Sequence, residues 1–305
     1  MGVYYGGHYG LAFRYLECVN KLMSLFPHSQ GSNTTFVAVY APDSYGLGDF
    51  LMQRSLPIAA FCNSHNYTFS LNFYNHPALR PLLSGTNCDV LETAMLTHHS
   101  CLQSVLASGD YFNKTTYLQM NGKFGRVELP LELRSYLNCC SDTIAGSLIY
   151  PSEALLERIA SRMRALSLVM GQYISIHVRA GDGHMTIPRN DDHFLWQEHW
   201  MSRVQRIVER YGSRSRLVLH CDSPLIKQRL LTHFPLVSCT EVAALHFGVI
   251  ESSSFDIDSA AETLLDLYIM ALSSRICRTS SRSSFPRLAE ALAPSATQQL
   301  APFLS

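Results

Sequence analysis

Apolar residues recur at helical spacing from Leu11 to Phe26, where Leu16, Val19, Met23 and Phe26 share one face. The pattern then contracts to Phe36-Val-Ala-Val-Tyr40, a run with the length and β-branched character of a short buried strand. Ser44-Tyr-Gly-Leu-Gly-Asp49 interrupts it with turn residues. Phe50 to Cys62 reads as a helix that Pro57 should kink or restart, because proline has no N–H to give to the preceding turn. A strand is expected at Tyr67 to Leu71, so the first part of the chain spells strand, turn, helix, strand. Between Pro77 and Gly146 the periodicities are short and mixed, with turn residues at Asn121-Gly122, and no boundary is assigned.

The second half is more regular. Ser152 is placed to cap a helix that carries Leu156, Ile159, Met163 and Leu166 on one face and ends near Gly171. Tyr173-Ile-Ser-Ile-His-Val178 is a strand broken by Ala180-Gly-Asp-Gly183, and Phe194 to Tyr211 is helical in pattern. Arg216-Leu-Val-Leu-His-Cys221 is a further strand, after which Ser223-Pro224 supplies an N-cap and a first-turn proline for a helix over Leu225 to Phe234. Ala260 to Ser273 is another helix, Arg275 to Thr279 a short strand, and Phe285 to Leu292 a closing helix. Strands alternating with helices predict parallel sheets covered on both faces, an α/β fold.

At 305 residues with 47% hydrophobic content, the chain holds enough apolar material for two lobes, divided here as 1–150 and 151–305. Lys+Arg and Asp+Glu are both 24, which argues against a nucleic-acid or anionic-membrane surface built on bulk charge. The basic residues are skewed in kind, with 20 Arg against four Lys and 15 of the Arg after Tyr150. Guanidinium forks suit phosphates, so an anion site is sought in the second half. No apolar run reaches the roughly 18 residues of a membrane helix, and Met1 to Gly10 lacks the plan of a signal peptide. The chain as written is thus expected to be soluble, with membrane association only through an anchor it does not include. Nine cysteines and the sequons at Asn33, Asn66 and Asn113 tilt the expectation toward a secretory lumen.

In open α/β sheets ligands bind beyond the carboxyl ends of the strands. Those positions hold His177, Arg179, Gly181 and Asp182 after one strand, Asp222 and Ser223 after the next, and Thr279 to Ser284 after the last. His177 and Arg179, two apart, share a face, while Gly181 permits a sharp exit. Other roles are open to each: Arg179 pairing with Asp182, His177 as a core histidine, Asp222 ending a strand, and Gly46 and Gly48 as plain turn residues. Asp256-Ile-Asp258 spells a DxD but precedes a helix, where it reads as a cap. His98-His99 and His220-Cys221-Asp222 place neighbouring ligands on opposite strand faces, so no metal site is assigned.

Tyr173-Ile-Ser-Ile-His-Val-Arg-Ala-Gly-Asp182 resembles the HxRxGD motif of GDP-fucose-dependent fucosyltransferases, the superfamily of α1,2-, α1,6- and protein O-fucosyltransferases. Leu217 to Pro224, and Asp266 to Met270 with Ser283-Ser-Phe-Pro-Arg287, are similar to later blocks of that superfamily in order and spacing. The likeness spans Tyr150 to Leu292 and, in the first half, the turn at Ser44 to Asp49. It implies a GT-B architecture of two Rossmann-like lobes facing a cleft, the first on the acceptor side and the second holding the nucleotide sugar. It further implies a transferase with GDP-fucose as donor substrate, a glycan or glycoprotein acceptor, no cofactor, no metal and a Golgi location. On the matching positions Arg179 would grip the diphosphate and His177 and Asp222 the guanosine part. Ser283 and Ser284 would add phosphate donors, with Gly46 and Gly48 approaching from the first lobe. Asp182 is the catalytic partner of Arg179 in this scheme, although His184, Asp191 and Glu198 are also placed to serve as the base. Two departures leave the acceptor class open: Ala180 stands where several relatives carry a second basic residue, and Gly183 where the α1,6 branch has lysine.

Overall fold

The computed structural model describes residues 33–40, 46–73, 77–84, 96–98, 111, 114–119, 144, 146, 148–179, 192–240, 256–280 and 283–304; of 77, 96–98, 119 and 192–199 it describes the backbone alone. The helix expected over Leu11 to Phe26, the turn at Asn121-Gly122 and the break at Ala180 to Gly183 lie outside these residues.

Two parallel sheets carry the fold. The first contains β1 (Thr35–Val39), β2 (Thr68–Asn72), β4 (Leu96–His98) and β5 (Thr115–Gln119) in the order β2-β1-β5-β4. Phe36, Val37, Ala38 and Val39 on central β1 are all buried, the signature of a strand covered on both faces. Between these strands in the sequence, β3 (Leu83–Ser84) pairs antiparallel with β6 (Tyr150–Pro151), joining segments far apart in the chain. The second sheet contains β7 (Tyr173–Val178), β8 (Arg216–Cys221), β9 (Val237–Ser238) and β10 (Arg275–Arg278) in the order β10-β7-β8-β9. Its two central strands coincide with the runs expected from sequence.

After β1 the chain turns through Gly46 into α1 (Leu47–Asp49), continues as a π-helical stretch over Phe50–Ser55, and returns to α-helical geometry in α2 (Leu56–His65). The π turns stand just before Pro57, which has no N–H for the turn behind it, so the expected kink takes the form of a local widening. The remaining helices are α3 (Glu153–Ala165), α4 (Asp192–Tyr211), α5 (Pro224–His233), α6 (Ile257–Ala271) and α7 (Phe285–Leu304). Ser152 and Ser223 cap α3 and α5 by accepting from Leu155 N at 3.3 Å and Ile226 N at 3.4 Å. Asp256 caps α6, accepting from Ser259 N at 2.7 Å, while exposed Asp258 pairs with Arg158 at 3.0 Å. Both carboxylates of the DxD are therefore used at a helix start.

Alternation along the second sheet divides the interior into two cores. Ile174, Ile176 and Val178 of β7 face one way with Leu217, Leu219 and Cys221 of β8, against Trp200 and Val204 of α4 and Ile226 and Leu230 of α5. Tyr173 and Val218 face the other way, into an apolar cluster that runs through α3, α6 and α7 to Phe36, Phe61 and Phe73 of the first sheet's layer. The two sheets thus share one continuous core, with α7 packed between α6 and α1. That helix corrects one expectation. It runs on past Leu292 through Pro294 to Leu304 because Ala296 and Leu300 are fully buried in this shared core.

Candidate functional site

Parallel pairing brings the ends of β7, β8 and β10 to one edge of the second sheet. His177 is opposite His220 on one side and Arg278 on the other. Past the last pair, Arg179 and Asp222 meet: Arg179 Nη1 donates to Asp222 Oδ2 at 2.6 Å, with the two side chains 26% and 10% exposed. This carboxylate stands just past the neighbouring strand β8. Asp182 lies outside the described residues, as do His184 and Asp191.

Two residues back, on the same face, His177 is buried. Its carbonyl accepts from Thr279 N at 3.0 Å and Thr279 Oγ1 at 3.2 Å, tying the end of β7 to the chain leaving β10. Its ring stands 6.2 Å from that of Phe285. Its Nδ1 has no hydrogen-bond partner among the described residues. Burial, and then the nearby His220 and Arg179, pull its pKa from the ordinary 6.5 down to about 3, so the imidazole is neutral and keeps one ring nitrogen available to a ligand.

Phe285 opens α7, and the two preceding serines, Ser283 and Ser284, are buried at its N-terminus, where helix N–H groups and dipole favour an anion. Gly48, in the short helix α1, meets them. A Cβ on Gly48 would lie 2.8 Å from Phe285 N and 2.9 Å from Phe285 Cα, so glycine is what lets the two segments touch. Gly46 precedes α1 in extended conformation. Gln53, in the π-helical stretch, donates from Nε2 to Asp49 Oδ1 at 2.6 Å and to Ser284 Oγ at 2.9 Å. Gly48, Ser283, Ser284, His177, Arg179 and Asp222 are in this way assembled around one sheet edge and one helix end, while Gly46 caps α1 nearby in sequence.

Directly beneath lies a polar network that the sequence reading did not find. His220 contacts Asp266 Oδ1 through Nδ1 at 3.1 Å and Ser175 Oγ through Nε2 at 3.1 Å, all three being buried. Asp266 also stands close to the Cys239 thiol, whose pKa burial and that carboxylate raise well above its usual value. Arg162 donates to the Cys239 carbonyl at 3.0 Å and pairs with Glu262 at 3.1 Å, and Lys227 donates to Thr240 Oγ1 at 3.0 Å. His220, Cys239 and Asp266 bring an imidazole nitrogen, a thiol and a carboxylate within 4.8 Å, a set of metal-ligand type. Both ring nitrogens are already engaged, however, so the arrangement is satisfied as a hydrogen-bonded brace between β7, β8 and α6. Its sequence signal was Asp266 itself, a lone carboxylate within apolar Leu264 to Met270.

Two parallel sheets sharing one core define a two-lobed α/β protein. No protein-family model matches the chain, and no curated sequence is significantly similar. Among solved structures it is similar to NodZ alpha-1,6-fucosyltransferase soaked with GDP-fucose, with a TM-score of 0.52 and 14% identity over 86% of this chain and 93% of that one. The same enzyme co-crystallised with GDP gives 0.51 at 13% identity over the same shares. A mutant of Arabidopsis thaliana FUT1 in complex with GDP gives 0.52 at 13% identity, over 92% of this chain and 73% of that one. The chain has the GT-B fold of these fucosyltransferases.

Proposed function

We propose that the chain is an inverting glycosyltransferase that moves fucose from GDP-fucose to a hydroxyl of a glycan or glycoprotein without a metal ion. The observation that supports this most directly is the grouping of Arg179, the unpartnered Nδ1 of buried His177 and the start of α7 at one strand edge. In this reading residues 151–305 hold the nucleotide and residues 1–150 face the acceptor. Arg179 and the α7 terminus, with Ser283 and Ser284, take the diphosphate, while His177 and Asp222 address the guanosine part. Gly46 and Gly48 allow the first lobe to approach.

In transfer the bond between the fucosyl anomeric carbon and the β-phosphate oxygen breaks, and GDP departs with the electron pair. The acceptor oxygen bonds the opposite face of that carbon, and its proton passes to a carboxylate, Asp182 in our assignment. A fixed guanidinium answers the charge growing on the β-phosphate, the role a metal plays elsewhere. In this reading the protein works in the secretory pathway, in the Golgi lumen, as the sequons at Asn33, Asn66 and Asn113 suggest. None of the described helices is long and apolar enough to cross a membrane.

Thermal-shift titration of GDP against UDP tests the reading. GDP should raise the melting temperature selectively, and Arg179→Ala should abolish the rise. A folded protein that ignores GDP rules the reading out. A second reading, a nucleotide- or glycan-binding protein without transfer activity, is favoured by Ala180 and by the 2.6 Å pair that already occupies Arg179. GDP binding without hydrolysis of GDP-fucose, and without transfer across a glycan panel, would select it.

A further inference from the structure

Gln53 links the two lobes at the proposed donor site, and its chemistry fixes more than its own position. A carboxylate only accepts hydrogen bonds, so the amide end facing Asp49 Oδ1 at 2.6 Å has to be the NH2 group. The same nitrogen lies 2.9 Å from Ser284 Oγ. One amide hydrogen goes to Asp49 and the other to Ser284, which exhausts the donors of Gln53. Toward Gln53, then, Ser284 is an acceptor, and its single proton must point elsewhere. No acceptor for that proton is found among the described residues, although Ser284 is only 7% exposed.

The surroundings identify what would receive it. Ser284 immediately precedes Phe285, the first residue of a 20-residue helix whose N-terminus favours negative charge. His177, 5% exposed and with Nδ1 unpartnered, stands beside Phe285. We propose that Gln53, held by Asp49, is a positioning residue that turns the Ser284 hydroxyl proton toward a phosphate oxygen of the bound nucleotide. This inference rests on the reading of the donor site given above and deepens it: the first lobe would set the polarity of a phosphate contact made by the second.

Calorimetric titration of the wild type, Gln53→Met, Ser284→Ala and the double variant with GDP, guanosine and inorganic pyrophosphate tests the proposal. Each single variant should weaken GDP and pyrophosphate about tenfold, the worth of one hydrogen bond to a charged group. Guanosine affinity should not change, because it offers no phosphate. The double variant should bind no more weakly than Ser284→Ala, since both changes remove the same bond. Additive losses, or an equal loss for guanosine, overturn the proposal. Gln53→Glu guards against a folding artefact: whether or not it shares a proton with Asp49, its other oxygen accepts from Ser284 and draws that proton away from phosphate. Should Gln53→Glu bind GDP like the wild type, the proposal also fails. Coupled loss of pyrophosphate binding without preference for GDP over UDP would keep this inference and remove the GDP-fucose reading. GDP-selective binding without coupling would do the reverse, and binding of neither ligand by the wild type would end both.

Discussion

His177 shows how much of the site's electrostatics a single buried side chain carries. In the unfolded chain it titrates near 6.5, and in the folded protein burial and the neighbouring His220 and Arg179 hold it near 3. Between those values the unfolded state binds a proton that the folded state refuses, so this residue makes stability fall as pH drops through that window and contributes no penalty above it. Each pH unit is worth about 1.4 kcal/mol, which makes the total several kcal/mol. Denaturant titrations from pH 4 to 7 should show a shallower pH dependence for His177→Asn than for the wild type, by close to one proton. An unchanged slope would mean that the imidazole is not neutral in the fold. The sequence placed His177 and Arg179 on one face, since strand parity alone decides that. Strand parity does not reveal pairing between strands, so the Asp222 partnership and the His220–Asp266 brace depended on a register that only the folded sheet supplies.

At the scale of elements, the contact between Gly48 of α1 and the start of α7 is a tightly constrained joint. Gly48→Ala would set a methyl 2.8 Å from backbone nitrogen and 2.9 Å from Cα of Phe285, and backbone cannot swing aside as a side chain does. We expect about 1–3 kcal/mol of destabilisation, read as a lower denaturation midpoint, together with weaker GDP binding as α7 is displaced. Retention of both would show that the lobes slip past each other freely here. The elements that the sequence disclosed, β7, β8 and the starts of α3 and α5, announce themselves locally through unbroken apolar runs and serine caps. Those it missed are determined at a distance. β3 and β6 are two residues each and exist only as partners across the chain. Pro294 normally ends a helix, since it removes a hydrogen bond and clashes with the turn before it. Burial of Ala296 and Leu300 outweighs that cost in α7. Leu300→Ala should therefore cost about 2–5 kcal/mol, whereas substitution of a frayed terminal residue would cost almost nothing.

Across the whole molecule, the proposed ligand edge and the sequons fall at opposite ends of the strands. Gly46 and then α1, whose Gly48 meets α7, follow the carboxyl end of β1. At the amino ends, Thr35 is the register partner of both Thr68 and Thr115, and each of these threonines is the third residue of an Asn-x-Thr triplet. Triplets 33 and 47 residues apart in sequence are thereby gathered along one rim of the first sheet. Asn33 and Asn66 are exposed there, Asn66 in left-handed conformation at the end of α2; Asn113 lies outside the described residues. If the protein works in the secretory lumen, this rim is where it can carry N-linked glycans without covering the donor site. Expression through a eukaryotic secretory pathway should give a product whose mass falls on treatment with peptide N-glycosidase. Asn33→Gln and Asn66→Gln should each remove one increment of that loss, and GDP affinity should be the same before and after deglycosylation. A secreted, folded product of unmodified mass would count against the lumenal assignment. A change in GDP affinity on deglycosylation would place the sequons near the donor site, contrary to the parallel arrangement of β1, β2 and β5.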